Sequence, residues 1–509
     1  MFSSFRKNLS ETNQNSNSTA SSPSTVPMYT QDDSFVHIDQ DKNKPALSLK
    51  VIPLHDSIGL GSTQTSTQLC ASLVARDLPD DDSKRAPVDI VVALDVSGSM
   101  NGSKLDLCKS TLSQLLRELS SSDRFGLVTF GSDVQVDIPS RKLTAMNKEN
   151  ALSKIKRLKT RGCTNLSGGI GMAAQELHSI EAPHEVRAVL LLTDGLANEG
   201  VSDKEGIVNL TKGCLVSNNE TSSFIAIHCF GYGSDHDKDI LREISQATQG
   251  GTYYYVGNDS DVSSAFGDAL GGILSVVAQN ACISLKISPE AAANGVSIST
   301  VKHDKATGNP DGSYSIAVGD VYAEESKDVF FEVSLSKEFN NAPVPHVIAS
   351  VSYLDTINKK LFQSDNIVGS ITRPLGKEVS PTNHHVLLQS IRIQTTEVIA
   401  EAERLAESSQ LDDAKKVIKS QIANLEIQST LFGPSNLYIS QMISELNTII
   451  AGLSSKRTYE AQGAMYMQSR LMSHQMQRCT ESNENTPSYY RSSAKACRSN
   501  KMKQFAGTH

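Results

Sequence analysis

The segment Asp95-Val96-Ser97-Gly98-Ser99-Met100 places a carboxylate and two hydroxyls at i, i+2 and i+4, directly after the apolar run VDIVVALD (88–95). Carboxylate and hydroxyl oxygens are hard donors and suit Mg²⁺, Mn²⁺ or Ca²⁺. A second segment, Gly162-Cys163-Thr164-Asn165-Leu166, offers a hydroxyl just before a helical pattern. A third apolar run ends in Thr193-Asp194-Gly195, which adds another carboxylate. In open parallel sheets ligands sit beyond the carboxyl ends of the strands. Three strand-to-helix loops can therefore converge on one cation. The competing reading is that Ser97 and Ser99 only cap the helix that follows.

Such loops need a sheet to position them. From 86 to 279 short continuous apolar runs alternate with helical segments: VDIVVALD, FGLVTF (125–130), VRAVLLLTD (186–194), FIAIHCFGYG (224–233) and TYYYV (252–256). Leu105, Leu112, Leu115, Leu116 and Leu119 make one helical stripe, and Leu166, Ile170, Ala173 and Leu177 another. Buried strands alternating with helices predict an α/β fold, a doubly wound and mainly parallel sheet covered on both faces. Period-two alternation marks residues 45–85 (Leu47, Leu49, Val51) and 280–375 (Val329, Phe331, Val333, Leu335). These predict an antiparallel β-sandwich shared by both segments, with the α/β domain inserted between them. Helical periodicity governs 384–476. Residues 1–44 and 477–509 are polar and poor in apolar residues, which predicts disordered tails.

The order and spacing of the three oxygen-bearing segments resemble the metal-ion-dependent adhesion site of the von Willebrand factor A domain, whose sheet is Rossmann-like. That resemblance implies that Ser97, Ser99 and Thr164 supply ligand oxygens, while Asp95 and Asp194 bind directly or through water. It further implies Mg²⁺, or Mn²⁺ or Ca²⁺, with an acidic side chain of a protein partner completing the coordination sphere. Met100, Asn165, Gly195 and Asp235 would form the rim that meets the partner. Longer stretches, among them FGYGSDHDKDILREISQATQGGTYYYV, VGDVYAEESKDVFFEVSL (318–335) and KRTYEAQGAMYMQSRLMSHQMQR (456–478), resemble plant RING-type ubiquitin ligases of the wavy-growth family. Those ligases carry a RING finger before the A domain. A RING needs about eight Cys and His ligands, and residues 1–85 hold only Cys70, His37 and His55. Ligase activity therefore does not carry over with the resemblance.

Composition narrows the partners. The net charge of −8 over 509 residues gives no global field for nucleic acid or an anionic membrane. No 18-residue apolar run and no N-terminal secretory pattern occur. The eight cysteines show no CxxC spacing, so neither a zinc site nor a disulfide framework is expected. His384-His385 begins a helical region and reads as two water-facing side chains, not a ligand pair, and Asp235-His236-Asp237-Lys238-Asp239 as a helix cap. The expectation is a cytoplasmic, non-catalytic protein-binding module, its helical region offering a second contact surface or self-association. Two alternatives remain: a substrate-recognition subunit of the ubiquitin pathway working with a separate RING protein, and an extracellular adhesion protein.

Overall fold

The computed structural model describes residues 45–78, 85–215, 225–233, 236–257, 259–432, 436–478 and 490–506. The expectation for 1–44 lies outside them. Strands β1 (Leu47–Pro53) and β2 (Ser66–Ala75) come first and pair antiparallel. The α/β domain follows: β3 (Val88–Asp95), α1 (Ser103–Glu118), β4 (Arg124–Phe130), β5 (Val134–Lys142), α2 (Ala145–Lys156), α3 (Leu166–His178), β6 (Val186–Thr193), α4 (Lys204–Leu215), β7 (Ile225–Tyr232), α5 (Lys238–Gln246), β8 (Tyr253–Val256) and α6 (Asp259–Ile273). Its sheet runs β5-β4-β3-β6-β7-β8, parallel except for the β4–β5 edge pair.

All eight residues of β3 are buried. Ile90, Val92 and Leu94 face the core built with α1 and α6, while Val91 and Ala93 face the opposite core with α3. Two buried faces explain why the run is continuously apolar. The chain leaves β3 toward β4 on one side and returns through β6 on the other. That makes the β3–β6 boundary the switch point, where crossovers diverge and leave a crevice.

Next come β9 (Val276–Ile287), α7 (Pro289–Ala293), β10 (Ile298–Lys302), β11 (Ala306–Gly308), β12 (Tyr314–Tyr322), β13 (Ser326–Ser334), β14 (Asn340–Asp355), β15 (Lys360–Gln363) and β16 (Ile367–Arg373). They make two antiparallel sheets, one of which, β1-β2-β13-β10, contains the strands that precede the α/β domain. β2 pairs with β13 over Val74↔Ser326 to Ser66↔Ser334. Leu69, Ala71, Leu73, Val329, Phe331 and Val333 from this sheet share one core with Ile283, Leu285, Val347 and Val351 from the other.

Longer helices among the described residues then follow: α8 (His384–Glu407), α9 (Leu411–Phe432), α10 (Leu437–Gly452), α11 (Ala464–Met476) and α12 (Ser493–Ala506). Among the described residues no helix is long and apolar enough to cross a membrane. The expected disorder over 477–509 is corrected for α12, which packs along α6. A Cβ at Gly267 would lie 2.6 Å from Ser499 Cα, and one at Gly271 2.7 Å from Lys495 Cα. The two glycines thus let the helix backbones touch. Lys495 is fully buried there and pairs with Asp268 at 2.7 Å. A small-residue groove and a buried ion pair hold α12, and neither leaves an apolar stripe in its sequence.

A buried polar network fastens α11 to the sandwich. Lys327 Nζ donates to the carbonyls of Met476 (2.6 Å) and Gln477 (3.2 Å) at the end of α11. Arg478 forks onto Glu325 at 2.7 and 2.8 Å and stacks 3.7 Å over the Tyr322 ring.

Candidate metal centre at the strand ends

Asp95 is the last residue of β3 and is fully buried. Its Oδ1 accepts from the Ser97 backbone N–H at 2.8 Å, and its Oδ2 from the Thr193 hydroxyl at 2.6 Å. Thr193 ends the neighbouring strand β6, so the carboxylate is gripped by both sides of the switch point. Burial pushes the Asp95 carboxyl above the usual carboxylate range. The Thr193 and Ser97 bonds oppose that shift, and the nearby Asp194 charge adds to it.

Beyond Asp95 the chain makes a tight 3₁₀ turn over Gly98–Met100. The turn brings Ser97 Oγ within 3.0 Å of Ser99 Oγ, and Ser99 Oγ donates to Asp194 Oδ1 at 2.7 Å. The second loop is tied to this turn through its backbone. Gly98 N–H donates to the Gly162 carbonyl at 3.1 Å, and Arg161 N–H to the Val96 carbonyl at 2.5 Å. Gly162 has φ +65°, and a Cβ there would lie 2.2 Å from Ser132 Oγ, so the loop needs glycine at this point. Thr164 is then pinned to the loop after β6. Its N–H donates to Asn198 Oδ1 at 2.8 Å, and its carbonyl accepts from Asn198 and Glu199 at 3.2 Å each. A Cβ at Gly195 would lie 3.5 Å from Thr164 Oγ1 and 3.6 Å from Ser99 Oγ, so both hydroxyls border one small space.

The five predicted donors therefore gather at one end of the sheet. The donor set fits a hard divalent cation. With metal–oxygen bonds of 2.0–2.1 Å or so, neighbouring ligands of an octahedral Mg²⁺ lie about 2.9 Å apart. The Ser97–Ser99 and Ser99–Asp194 oxygens are separated by 3.0 and 2.7 Å.

Of the predicted rim, Met100 is corrected. It is 0% exposed and belongs to the core on the α1 face of the sheet, because the 3₁₀ turn folds its side chain inward. It cannot meet a partner. Asn165 is half-buried, and its Oδ1 accepts from Gly168 N–H at 2.9 Å as the N-cap of α3. Gly195 is half-exposed, with Leu196 beside it 57% exposed. Asp235 lies outside the described residues. Asp237 caps α5, its Oδ1 accepting from Asp239 and Ile240 N–H at 3.0 and 2.9 Å.

Sequence reasoning missed Lys104. Its ammonium forms a short ion pair with Asp194 Oδ2, the oxygen that Ser99 leaves free. Lys104 stands in the first turn of α1, where the helix dipole disfavours a cation. A lysine at that unfavourable position was the available signal.

The sequence profile of the von Willebrand factor type A domain matches residues 89–268, and a profile described as VWA / Hh protein intein-like matches 436–503. The chain is 24% identical over 310 residues to an uncharacterised protein of Synechocystis sp., covering 60% of this chain and 70% of that one. It is 26% identical over 355 residues to the E3 ubiquitin-protein ligase WAV3 of Arabidopsis thaliana, covering 69% of this chain. The chain spans only 44% of the length of that ligase. In fold it is similar to the crystallised von Willebrand factor type A protein of Catenulispora acidiphila, with a TM-score of 0.62 at 14% identity, over 84% of this chain and 98% of that one. Residues 89–268 are thus a von Willebrand factor type A domain, and the region that carries it is homologous to the WAV3-type plant ligases.

Proposed function

We propose that this chain is a non-catalytic protein-binding module that holds Mg²⁺, or a similar hard cation, at Asp95, Ser97, Ser99, Thr164 and Asp194, and there engages an acidic group on a protein partner. One observation carries the reading: five oxygen-bearing side chains from three loops converge at the switch point beside the half-exposed Gly195. A bound cation would supply positive charge for a carboxylate ligand from outside. The chain's residues do the rest. Thr193 orients Asp95, and the Gly162 and Asn198 contacts hold Thr164 in place. Asp95 and Asp194 together offset the charge of one divalent cation, and the three hydroxyls add none, so an external carboxylate can still complete the coordination sphere.

The test is affinity purification with the full chain, comparing wild type with Ser97→Ala plus Ser99→Ala, each with Mg²⁺ and with a chelator. Partners should be retained by the wild type in Mg²⁺ and lost in the other arms. Recovery of the same partners in every arm overturns the proposal.

A second reading is favoured by the likeness to WAV3, which runs over 69% of this chain and so beyond the A domain. On that reading the partner is a substrate that this chain presents to a separate RING ligase. Co-purification of a RING protein and ubiquitin conjugates, sensitive to the same double substitution, supports it. Partners free of both refute it.

A further inference from the structure

We infer that Cys70, Asp328 and His385 form a second metal site, for a borderline divalent cation such as Zn²⁺, which clamps α8 onto the outer face of the β1-β2-β13-β10 sheet. The three residues come from β2, β13 and the first turn of α8. Core-facing residues of β2 and β13 are Leu69, Ala71, Val329 and Phe331, so Cys70 and Asp328 project from the other face. The register sets Cys70 opposite Phe330 and Asp328 opposite Ser72, making the thiol and carboxylate diagonal neighbours. α8 covers this face, with Val386 packing against Cys70 and Phe330 while His385 reaches the carboxylate.

One ligand atom from each residue lies within 4.8 Å of the other two. Cys70 Sγ is 3.4 Å and His385 Nε2 2.9 Å from the same oxygen, Asp328 Oδ1. Tetrahedral zinc, with bonds of about 2.3 Å to sulfur and 2.0–2.2 Å to nitrogen and oxygen, sets S···O at about 3.6 Å and N···O at about 3.4 Å. The two separations from Asp328 Oδ1 need to open by only a few tenths of an ångström. The chemistry of the donors differs from the strand-end centre. Thiolate and imidazole select a softer cation than five oxygens do.

The surroundings fit a built site. Arg392 and Gln477 hydrogen-bond the Asp328 carbonyl, at 3.4 and 2.9 Å, and leave its carboxylate to the ligand group. Ser72 hydrogen-bonds that carboxylate and orients it. The Asp328 side chain is 4% exposed, whereas that of His385 is 40% exposed, so the fourth coordination position opens toward water. Charge also balances. As the metal–sulfur bond forms, the thiol proton passes to solvent, and thiolate plus carboxylate neutralise one divalent ion. Sequence spacing gave no hint, because Cys70 and Asp328 are 258 residues apart.

Cobalt(II) titration of the full chain tests the site, because a thiolate ligand gives a sulfur-to-cobalt charge-transfer band that an all-oxygen centre does not. One equivalent of Co²⁺ should produce the band in wild type and in Asp95→Ala, and Zn²⁺ should abolish it by displacement. Cys70→Ala should remove the band, and His385→Gln should weaken the affinity at least tenfold. His385 is partly exposed, so His385→Gln keeps the test decisive if Cys70→Ala fails to fold. Absence of the band in wild type, its persistence in Cys70→Ala, or an unchanged affinity in His385→Gln overturns the inference. Retention in Asp95→Ala separates this site from the strand-end centre.

Discussion

Lys104 is the charge that a cation at the strand ends must work against. Its ammonium sits on Asp194 Oδ2, while Ser99 occupies Oδ1. Replacing it with methionine keeps the apolar stem and removes the charge. The width of one carboxylate plus a metal–oxygen bond sets the ammonium about 5 Å from a cation on the Ser99 side, and two such charges repel by about 332 × 2/(80 × 5), or roughly 1.7 kcal/mol, at the dielectric of water. The Lys104 side chain is 33% exposed but its partner Asp194 is 0% exposed, so the value at the dielectric of water is a lower bound. Lys104→Met should therefore tighten Mg²⁺ binding about tenfold or more, at about 1.4 kcal/mol per decade. The buried Asp194 also loses its counter-ion, so Mg²⁺ should raise the melting temperature of the variant more than that of wild type. Isothermal titration at low salt reads the affinity, and the gain should shrink as salt screens the repulsion. Unchanged or weaker Mg²⁺ binding in a folded Lys104→Met refutes the reasoning.

Three further outcomes follow from the geometry. Thr193→Val leaves Asp95 Oδ2 without its donor; an unsatisfied buried acceptor costs about 1–3 kcal/mol, so thermal stability and Mg²⁺ affinity should both fall, while Thr193→Ser stays near wild type. Gly195→Val puts branched carbon between Thr164 Oγ1 and Ser99 Oγ, and calorimetry should show Mg²⁺ binding lost without a loss of helical circular dichroism. Arg478→Met strands Glu325 in a buried site, and breaking such a pair costs about 3–5 kcal/mol by chemical denaturation at pH 7. Against the upward push of burial, Arg478 and then Lys327 hold the wild-type Glu325 carboxyl down to about 2. Its folded value lies below the ordinary one, so its contribution is present above the usual carboxylate range and is lost as pH falls toward 2. Without Arg478 burial raises the carboxyl, and the deficit of the variant should shrink between pH 7 and pH 4. A pH-independent deficit counts against the pairing as its cause.

The sheet is legible in sequence because burial on both faces leaves a local mark. β3 reads VDIVVALD, and every residue of it is buried. The α1 stripe of Leu105, Leu112, Leu115 and Leu116 is likewise buried. α12 leaves no such mark, because SAKACRSNKMKQFA is held by the close approach of Gly267 and Gly271 and by the Asp268–Lys495 pair. Those determinants lie in another helix, more than 200 residues earlier in the chain. Met100 was misplaced for the opposite reason. Adjacency to the DxSxS segment suggested a rim position, whereas its apolar side chain, 0% exposed, obeys the hydrophobic effect and turns into the core.

The donors of the strand-end centre belong to a third kind of information. Each sits at a strand end or just before a helix, so its type and its local element are visible in sequence. That the loops meet follows only if β3 and β6 are neighbours, a property of sheet order that right-handed crossovers narrow without fixing. The charge state of the centre is less accessible still. Ser99 and Lys104 reach Asp194 across 95 and 90 residues, one from the 3₁₀ turn and the other from the first turn of α1. Two oxygens of one buried carboxylate are thus shared between a hydroxyl and an ammonium. Cation binding at this centre consequently depends on a side chain that is no ligand, and a substitution at Lys104 should tune affinity without altering the donor set.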